Sequence, residues 1–278
     1  MGKCRYCGQS AGLFHNSHAE CEQQHMAGVG RIRGLLLDCF DNKKDFYLIR
    51  GELENICRGA FVSEESCREL YRTVFDEAVE RYLDDGVIDE GEERTVARFI
   101  QFSGMTQTDL NANGSLEKVV QSKVLYDLLH GKVPSPRLTI AGDFPFLLSK
   151  KEHLIWLFRN VTLHMQRVRR QTVGRTRGVS VRICKGVYYR TGGFRGHPVE
   201  TTYMERVGTG SVCLTDRHLY FHCPMKALKI PLDKILSLDP CSNGLGIQKD
   251  GANDRPLFFE NLNSWFCYNA ISNLVSGM

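Results

Sequence analysis

No apolar run in the 278-residue chain approaches the roughly 18 residues needed to cross a bilayer, so no membrane-spanning helix is expected. The opening MGKCRYCGQS has no apolar core, which argues against a secretion signal, and it lacks the Ser or Thr of a myristoylation signal. G-x-S-x-G, a P-loop, H-E-x-x-H and the kinase signatures are all missing, and with them the common routes to hydrolase, nucleotidase and kinase chemistry. Gly28-x-Gly30-x-x-x-Gly34 has the wrong last spacing for a dinucleotide loop and follows no strand, so it reads as a hinge. A net charge of +4 excludes a polycation. The eleven cysteines are an odd number, and eight of them stand singly along the chain. That pattern suits reduced thiols in a cytoplasm rather than a disulfide framework. These absences lead us to expect a non-enzymatic protein, cytoplasmic and at most peripheral at a membrane.

The densest chemistry is at the start, in CRYCGQSAGLFHNSHAECEQQH. Cys4 and Cys7 form a CxxC pair with a Gly after it, and His18 and Cys21 form a second pair with the same spacing. Two such pairs can wrap a tetrahedral ion, with Zn–S of about 2.3 Å and Zn–N of about 2.0 Å. The predicted cofactor is structural Zn²⁺ on Cys4, Cys7, His18 and Cys21, because four protein ligands leave no open position. So short a loop would draw most of its folding free energy from the metal. His15 and His25 are alternatives to His18, since Cys21-x-x-x-His25 also has acceptable spacing. A redox role for CxxC needs a strand-to-helix context that is not found here.

From Ile32 to about Val168 the apolar period is helical. Ser63 caps a helix over Glu64 to about Leu83, which stops at Asp84-Asp85-Gly86. Asp89 and Glu92 box the next helix, and another runs from about Leu116 to His130. Ser149 and Glu152 box a further one whose Leu154, Phe158, Val161, Met165 and Val168 step by four and three. Two segments imitate calcium loops. Asp109 to Val120 lacks the terminal bidentate Glu, and Arg81 to Glu92 lacks the first ligands, so both read as capped turns. The order DG-x-I-x-x-x-E (Asp85 to Glu92), second helix, then the step from Gly104 to Leu110 resembles the tellurite-resistance-B-like helical domains of bacteria over about residues 31–135. Some of those domains are linked with metal ions through acidic residues. The resemblance thereby implicates Asp84, Asp85, Asp89 and Glu92, and opens the alternative of a metal-dependent hydrolase or nuclease.

After Gly174 the period changes to two. Short strands are expected around Val179–Ile183, Val187–Tyr189 and Thr202–Val207, with turns at Thr191-Gly192-Gly193 and Gly208–Gly210. The hairpin VCLTDRHLYFH (Val212 to His222) buries Val212, Leu214, Leu219 and Phe221, and sets His218, Tyr220 and His222 on a face expected to be wet. More strands and a closing helix follow, with Asn263 or Ser264 as cap and Trp265, Tyr268, Ile271, Leu274 and Val275 inward. G-x-V-x-L-T-D-x-x-L-x-F followed by K-x-x-x-I-P-L-x-K-I (Gly210 to Ile235) resembles the GRAM and bacterial pleckstrin-homology-like families over about residues 178–275. The resemblance implies a small antiparallel barrel plugged by the terminal helix. It also implies recognition of anionic lipid headgroups or protein partners through cations at one mouth, here Lys185, Arg190, Arg195 and His197.

Charge is unevenly spread. Glu52 to Arg94 holds fourteen Asp/Glu against five Arg, while Lys150 to Lys185 holds ten Lys/Arg against one Glu. The basic stretch includes Arg167, Arg169, Arg170, Arg175 and Arg177, spaced by Gly and Thr like an extended linker. Such a joint either grips an external polyanion or docks on the acidic helices. Without interleaved aromatics it is not suited to reading single strands by stacking. The expected fold is multidomain α+β: a zinc knuckle at 1–28, a helical bundle at 29–148, a helix and basic linker at 149–177, and a barrel at 178–278. Bacterial proteins that join such modules suggest an adaptor in stress or anti-phage responses, recruited to an anionic membrane or a protein partner. The alternative is a nucleic-acid-binding factor using the knuckle and the Arg-rich joint.

Overall fold

A computed structural model describes residues 2–12, 15–84, 86–134, 143–184, 187–251 and 255–277, with the backbone alone described over 170–184 and 187–200. The chain divides into two compact units, Met1–Thr139 and Ile140–Met278.

The first unit opens with two short strands, β1 (Gly2–Lys3) and β2 (Ser10–Gly12), paired antiparallel. Six helices follow: α1 (Ala19–Asp41), α2 (Arg50–Gly59), α3 (Glu64–Tyr82), α4 (Glu90–Ser103), α5 (Gln107–Leu110) and α6 (Ser115–Leu129), with a 3-10 turn at Phe46–Ile49 before α2. Their ends are set by local chemistry. Ser63 Oγ accepts the Ser66 amide at 3.2 Å, and Asp89 and Glu92 form a reciprocal capping box on α4. The core is aromatic, with Phe40, Phe46, Phe75 and Phe99 fully buried. Phe40 lies 5.0 Å from Phe46 and 4.9 Å from Phe99 between ring centroids, within the range where edge and tilted pairs attract. Gly28, Gly30 and Gly34 are not a hinge. They lie within α1, which runs unbroken across the expected boundary at residue 28, and at Gly28 a Cβ would stand only 2.2 Å from the Ala60 Cβ. The glycine lets two backbone segments touch.

Among the described residues, the second unit is one antiparallel sheet of seven strands followed by a helix. The strands are β3 (Leu154–Cys184), β4 (Val187–Thr215), β5 (His218–Cys223), β6 (Lys226–Pro231), β7 (Ile235–Cys241), β8 (Gly244–Lys249) and β9 (Leu257–Glu260), and the helix is α7 (Ser264–Ser276). The spatial order is β6-β5-β4-β3-β9-β8-β7. The two edge strands, β6 and β7, are joined by only a three-residue 3-10 turn, Leu232–Lys234. A link that short brings opposite edges together at one corner, so the sheet is strongly curled. It is nevertheless not closed into the expected barrel, because β6 and β7 do not pair. α7 contacts β7, β8 and the 3-10 turn. It buries Phe266, Cys267, Ala270 and Ile271, so of the expected inward face Ile271 is in the core while Trp265, Tyr268 and Val275 are exposed.

The segment 149–177 is also corrected. The helix expected after Ser149 is strand β3, and the basic linker continues the same strand. The register slips between Leu154 and Trp156 and between Phe158 and Val161, and Asn160 takes φ of 56°. These irregularities make the buried positions Ile155, Phe158 and Val161 advance by three, which imitates a helical stripe. Nor are there turns at 191–193 or 208–210, since both lie inside β4. Gly210 is there because a Cβ would lie 1.9 Å from the His222 carbonyl oxygen on β5. β9 pairs with β3 only over Thr162–Met165, and β5 with β4 only over Ser211–Leu214. Between Gln166↔Met204 and Cys184↔Val187, β3 and β4 therefore pair with each other alone. Among the described residues, no helix is long and apolar enough to cross a membrane.

Gly28→Ala is expected to cost unit 1 about 1–3 kcal/mol from overpacking, despite the better helix propensity of Ala. Gly30→Ala, where an added Cβ meets nothing within 4 Å, should be neutral or stabilising by up to about 1 kcal/mol. Urea unfolding of both variants checks the contrast.

Candidate metal centre

Cys4 follows β1 and begins a tight turn, with its amide donating to the Gln9 carbonyl at 2.7 Å and its carbonyl accepting from Gly8 at 2.9 Å. Gly8 takes φ of 73°, which a side chain would resist. This folds Cys4 and Cys7 onto one side of the loop. The other pair belongs to α1: His18 is its N-cap residue and Cys21 lies in its first turn. The ligand atoms of Cys4, Cys7, His18 and Cys21 all lie within 4.8 Å of one another.

The imidazole is oriented from both sides. Its Nε2 is 3.0 Å from the Ser10 carbonyl oxygen, so Nε2 carries the proton and donates. Its Nδ1 then offers a lone pair toward the thiols, 3.4 Å from Cys7 Sγ and 3.7 Å from Cys21 Sγ. Bond lengths of about 2.3 Å to sulfur and about 2.0 Å to nitrogen give a tetrahedral S···N edge of about 3.6 Å. The two observed separations straddle it. An outer hydrogen bond of the Ser10 kind is what metal-ligating histidines usually carry.

Electrostatics divide the thiols. Burial pushes Cys4 up, but the backbone amides of Cys7, His18 and Tyr6 outweigh it and hold the thiol down at about 6. Cys21 is pushed up to about 11 by burial and by the neighbouring Cys7 and Cys4 sulfurs. These groups cannot all ionise side by side without a cation between them. The donor set suits a borderline or soft divalent ion. His25 is engaged elsewhere: Nδ1 lies 2.9 Å from the Ala60 carbonyl oxygen, and its ring is 4.7 Å from that of Tyr6. His15 is exposed and outside the cluster.

The acidic candidates are occupied as caps. Asp89 accepts the Glu92 amide at 2.7 Å and pairs with Lys43 at 3.0 Å, and Glu92 Oε1 is 3.7 Å from the same ammonium. Among the described residues Asp84 joins no metal-binding group, and Asp85 lies outside them. In the calcium-like loop Asp109 caps α5, Asn111 accepts the Glu117 amide at 2.9 Å and Asn113 donates to Asp76 at 2.7 Å. Of the basic candidates, Arg167 pairs with Glu205 at 2.7 Å, and Arg169 has its own partner. Lys185 lies outside the described residues, and so do the side chains of Arg170, Arg175, Arg177, Arg190, Arg195 and His197. The backbone register sets Arg175 opposite Arg195, Val173 opposite His197 and Ser180 opposite Arg190.

A second polar site was hidden in the sequence. Glu152 is 8% exposed, and it accepts from Thr215 Oγ1 at 2.7 Å, His218 Nδ1 at 2.9 Å, Tyr220 OH at 3.0 Å and the Ser149 amide at 3.2 Å. Burial pushes this carboxyl up, but the Thr215, His218, Ser149 and Tyr220 donors more than compensate and hold it at about 2. The face of β5 expected to be wet is thus covered, with Phe146 packed 6.1 Å from Tyr220 and 6.3 Å from His222. The expected Ser149–Glu152 box is half made, as a turn, and its carboxylate pins the chain to β4 and β5. The S-x-x-E spacing was visible, but its distant partners were not.

No family model matches the chain, and no curated protein does. A solved complex of the PDZ-RhoGEF DH/PH domains with GTP-γ-S-activated RhoA is similar at 15% identity and a TM-score of 0.22, over 94% of this chain and 70% of that one. A superposition that loose carries no argument about this chain.

Two outcomes follow. Zn²⁺ loading at pH 7 should release at least one proton, since Cys21 is otherwise protonated, and affinity should weaken steadily as pH falls. Cys21→Ser should cost more than about 100-fold in affinity, while His25→Ala leaves it within a few-fold. Calorimetry in buffers of different protonation enthalpy, with chelator competition, measures both. For Glu152, whose carboxyl falls from 4.5 to about 2 on folding, stability is contributed above pH 4.5 and lost as pH falls toward 2. That shift corresponds to about 3 kcal/mol. Glu152→Gln should remove a similar amount at pH 7 and flatten the acid limb of the unfolding profile.

Proposed function

We propose that this chain is a non-enzymatic binding protein, an adaptor in which zinc closes the N-terminal knuckle and the second unit recognises an anionic lipid surface. Three thiols and one imidazole form a complete tetrahedral set, which suits zinc in a structural role and leaves no position for substrate. The observation that carries the binding reading is the register of β3 and β4. Sequence positions that read as a linker and as a separate loop are opposite strands of one hairpin, with Arg175 across from Arg195. Strand alternation then assigns Arg167, Arg169, Arg175 and Arg177 of β3 and Arg195 and His197 of β4 to one face of that hairpin. Arg167, at the end of that face, is already paired with Glu205, and beyond it no Asp or Glu occurs on the face between Arg169↔Thr201 and Val181↔Tyr189. A cationic face of this kind is attracted to an anionic leaflet at about 1 kcal/mol per charge.

The same hairpin favours one second reading. A two-stranded ribbon fits the major groove of a nucleic acid duplex, where arginines grip phosphates. The two readings separate in one experiment, co-sedimentation with neutral and anionic liposomes across a salt series, with duplex DNA as competitor. Pelleting with anionic vesicles alone, weakening with salt and resistant to DNA, is the expected result. The triple change Arg169→Ala, Arg175→Ala and Arg195→Ala should weaken it about 100-fold. Stripping by DNA would replace the membrane reading with the nucleic-acid one. Absence of pelleting at low salt would overturn the membrane reading.

A further inference from the structure

Two thiols of unit 1 that the metal centre does not use approach each other across a helix pair. Cys57, near the end of α2, and Cys67, in the first turns of α3, stand with Sγ atoms 3.8 Å apart. Both are half-buried. They lie on the wall of a cavity of about 480 Å³ that Arg50, Glu54, Arg58 and Tyr71 also line. Their backbones are held in place: the Val62 amide donates to the Cys57 carbonyl at 2.9 Å, and the Cys67 amide to the Ser63 carbonyl at 2.9 Å. By contrast Cys39, Cys213 and Cys267 are sealed in their cores.

We propose that Cys57 and Cys67 are a redox-responsive pair that a hydroperoxide closes to a disulfide, fixing α2 to α3 along the cavity wall. A disulfide needs about 2.05 Å between sulfurs, so the two side chains share a travel of about 1.8 Å. The cavity gives a small peroxide access to sulfurs that are otherwise half-covered. In the first step one thiol attacks the O–O bond, an alcohol or water leaves, and a sulfenic acid remains. In the second, the other thiol displaces that oxygen as water. Overall two thiols give up two electrons and two protons, and one peroxide is reduced. The roles are unequal. Burial and the neighbouring Cys67 sulfur push Cys57 up to about 11, which keeps it protonated at neutral pH and makes it the resolving thiol. Cys67, which lines the cavity beside Tyr71, is the one that meets the peroxide.

The test uses the full-length, zinc-loaded protein, titrated with hydrogen peroxide, quenched with an alkylating agent and mapped by peptide mass spectrometry. The expected result is a Cys57–Cys67 linked peptide that forms at lower peroxide than zinc release and reopens with a thiol reductant. Cys57→Ser should leave Cys67 oxidised to sulfenic or sulfinic acid, Cys67→Ser should leave Cys57 reduced at the same dose, and exposed Cys241→Ser should change nothing. The proposal is overturned if both thiols still alkylate at doses that release zinc, or if the link forms only in urea. Oxidation of Cys57 in the Cys67→Ser variant would overturn the assignment of roles.

Discussion

Three thiols and an imidazole within 4.8 Å repel or stay protonated until a cation joins them, and this cluster stands on the first turn of α1. The same helix, further along, buries Ile32, Leu36, Cys39 and Phe40 in the bundle core. One rigid rod therefore ends in the metal ligands and passes into the core without a joint. Its approach to Ala60 at Gly28, and the His25 hydrogen bond to the Ala60 carbonyl, tie the ligand-bearing end to the turn after α2. Order in the knuckle is thus order at the end of the bundle, and a cation bound there would act on α1 rather than on a loose appendage.

The second unit solves a similar problem without an ion. Glu152 is a charge withdrawn from water and is tolerable only because four donors converge on it. Those donors come from the turn before β3 and from the β4–β5 hairpin. Asp216 adds a reciprocal tie, accepting the His153 amide at 2.8 Å while its own amide donates to the His153 carbonyl at 3.0 Å. The hairpin whose His218 and Tyr220 suggested an exposed polar platform is in fact the receptor for the protein's own carboxylate.

What the sequence disclosed and what it hid follow a physical rule. Features set within about four residues were legible: the Ser63 cap, the Asp89–Glu92 box, the Asn263 cap and the two ligand pairs. So was the β4–β5 pairing, where Leu214 faces Leu219. Features set across the chain were not. Ser149 and Glu152 have the spacing of a helix start, but Thr215 and His218 claim the carboxylate and the chain enters a strand. The irregularities around Asn160 then shift the buried positions by three, so that even the hydrophobic period misleads. α7 was placed correctly but rotated, because Trp265 and Tyr268 are apolar enough to suggest burial while Phe266 and Cys267 take the core side. Most consequentially, the register that sets Arg175 against Arg195 depends on how β3 and β4 fold back, which no local pattern encodes.

The strand order also has a kinetic meaning. β3 with β4, β4 with β5, β5 with β6, β7 with β8 and β8 with β9 are each neighbours in sequence, so every one of these ladders can form as a hairpin. The exception is β3 with β9, where Thr162 meets Glu260 and the His164–Glu260 pair at 2.9 Å spans 96 residues. Its loop-closure entropy is the largest in the sheet and is offset only by contacts made once the rest is in place. The seam at β3–β9 is therefore the ladder expected to close last, which would make the curl of the sheet an event late in folding.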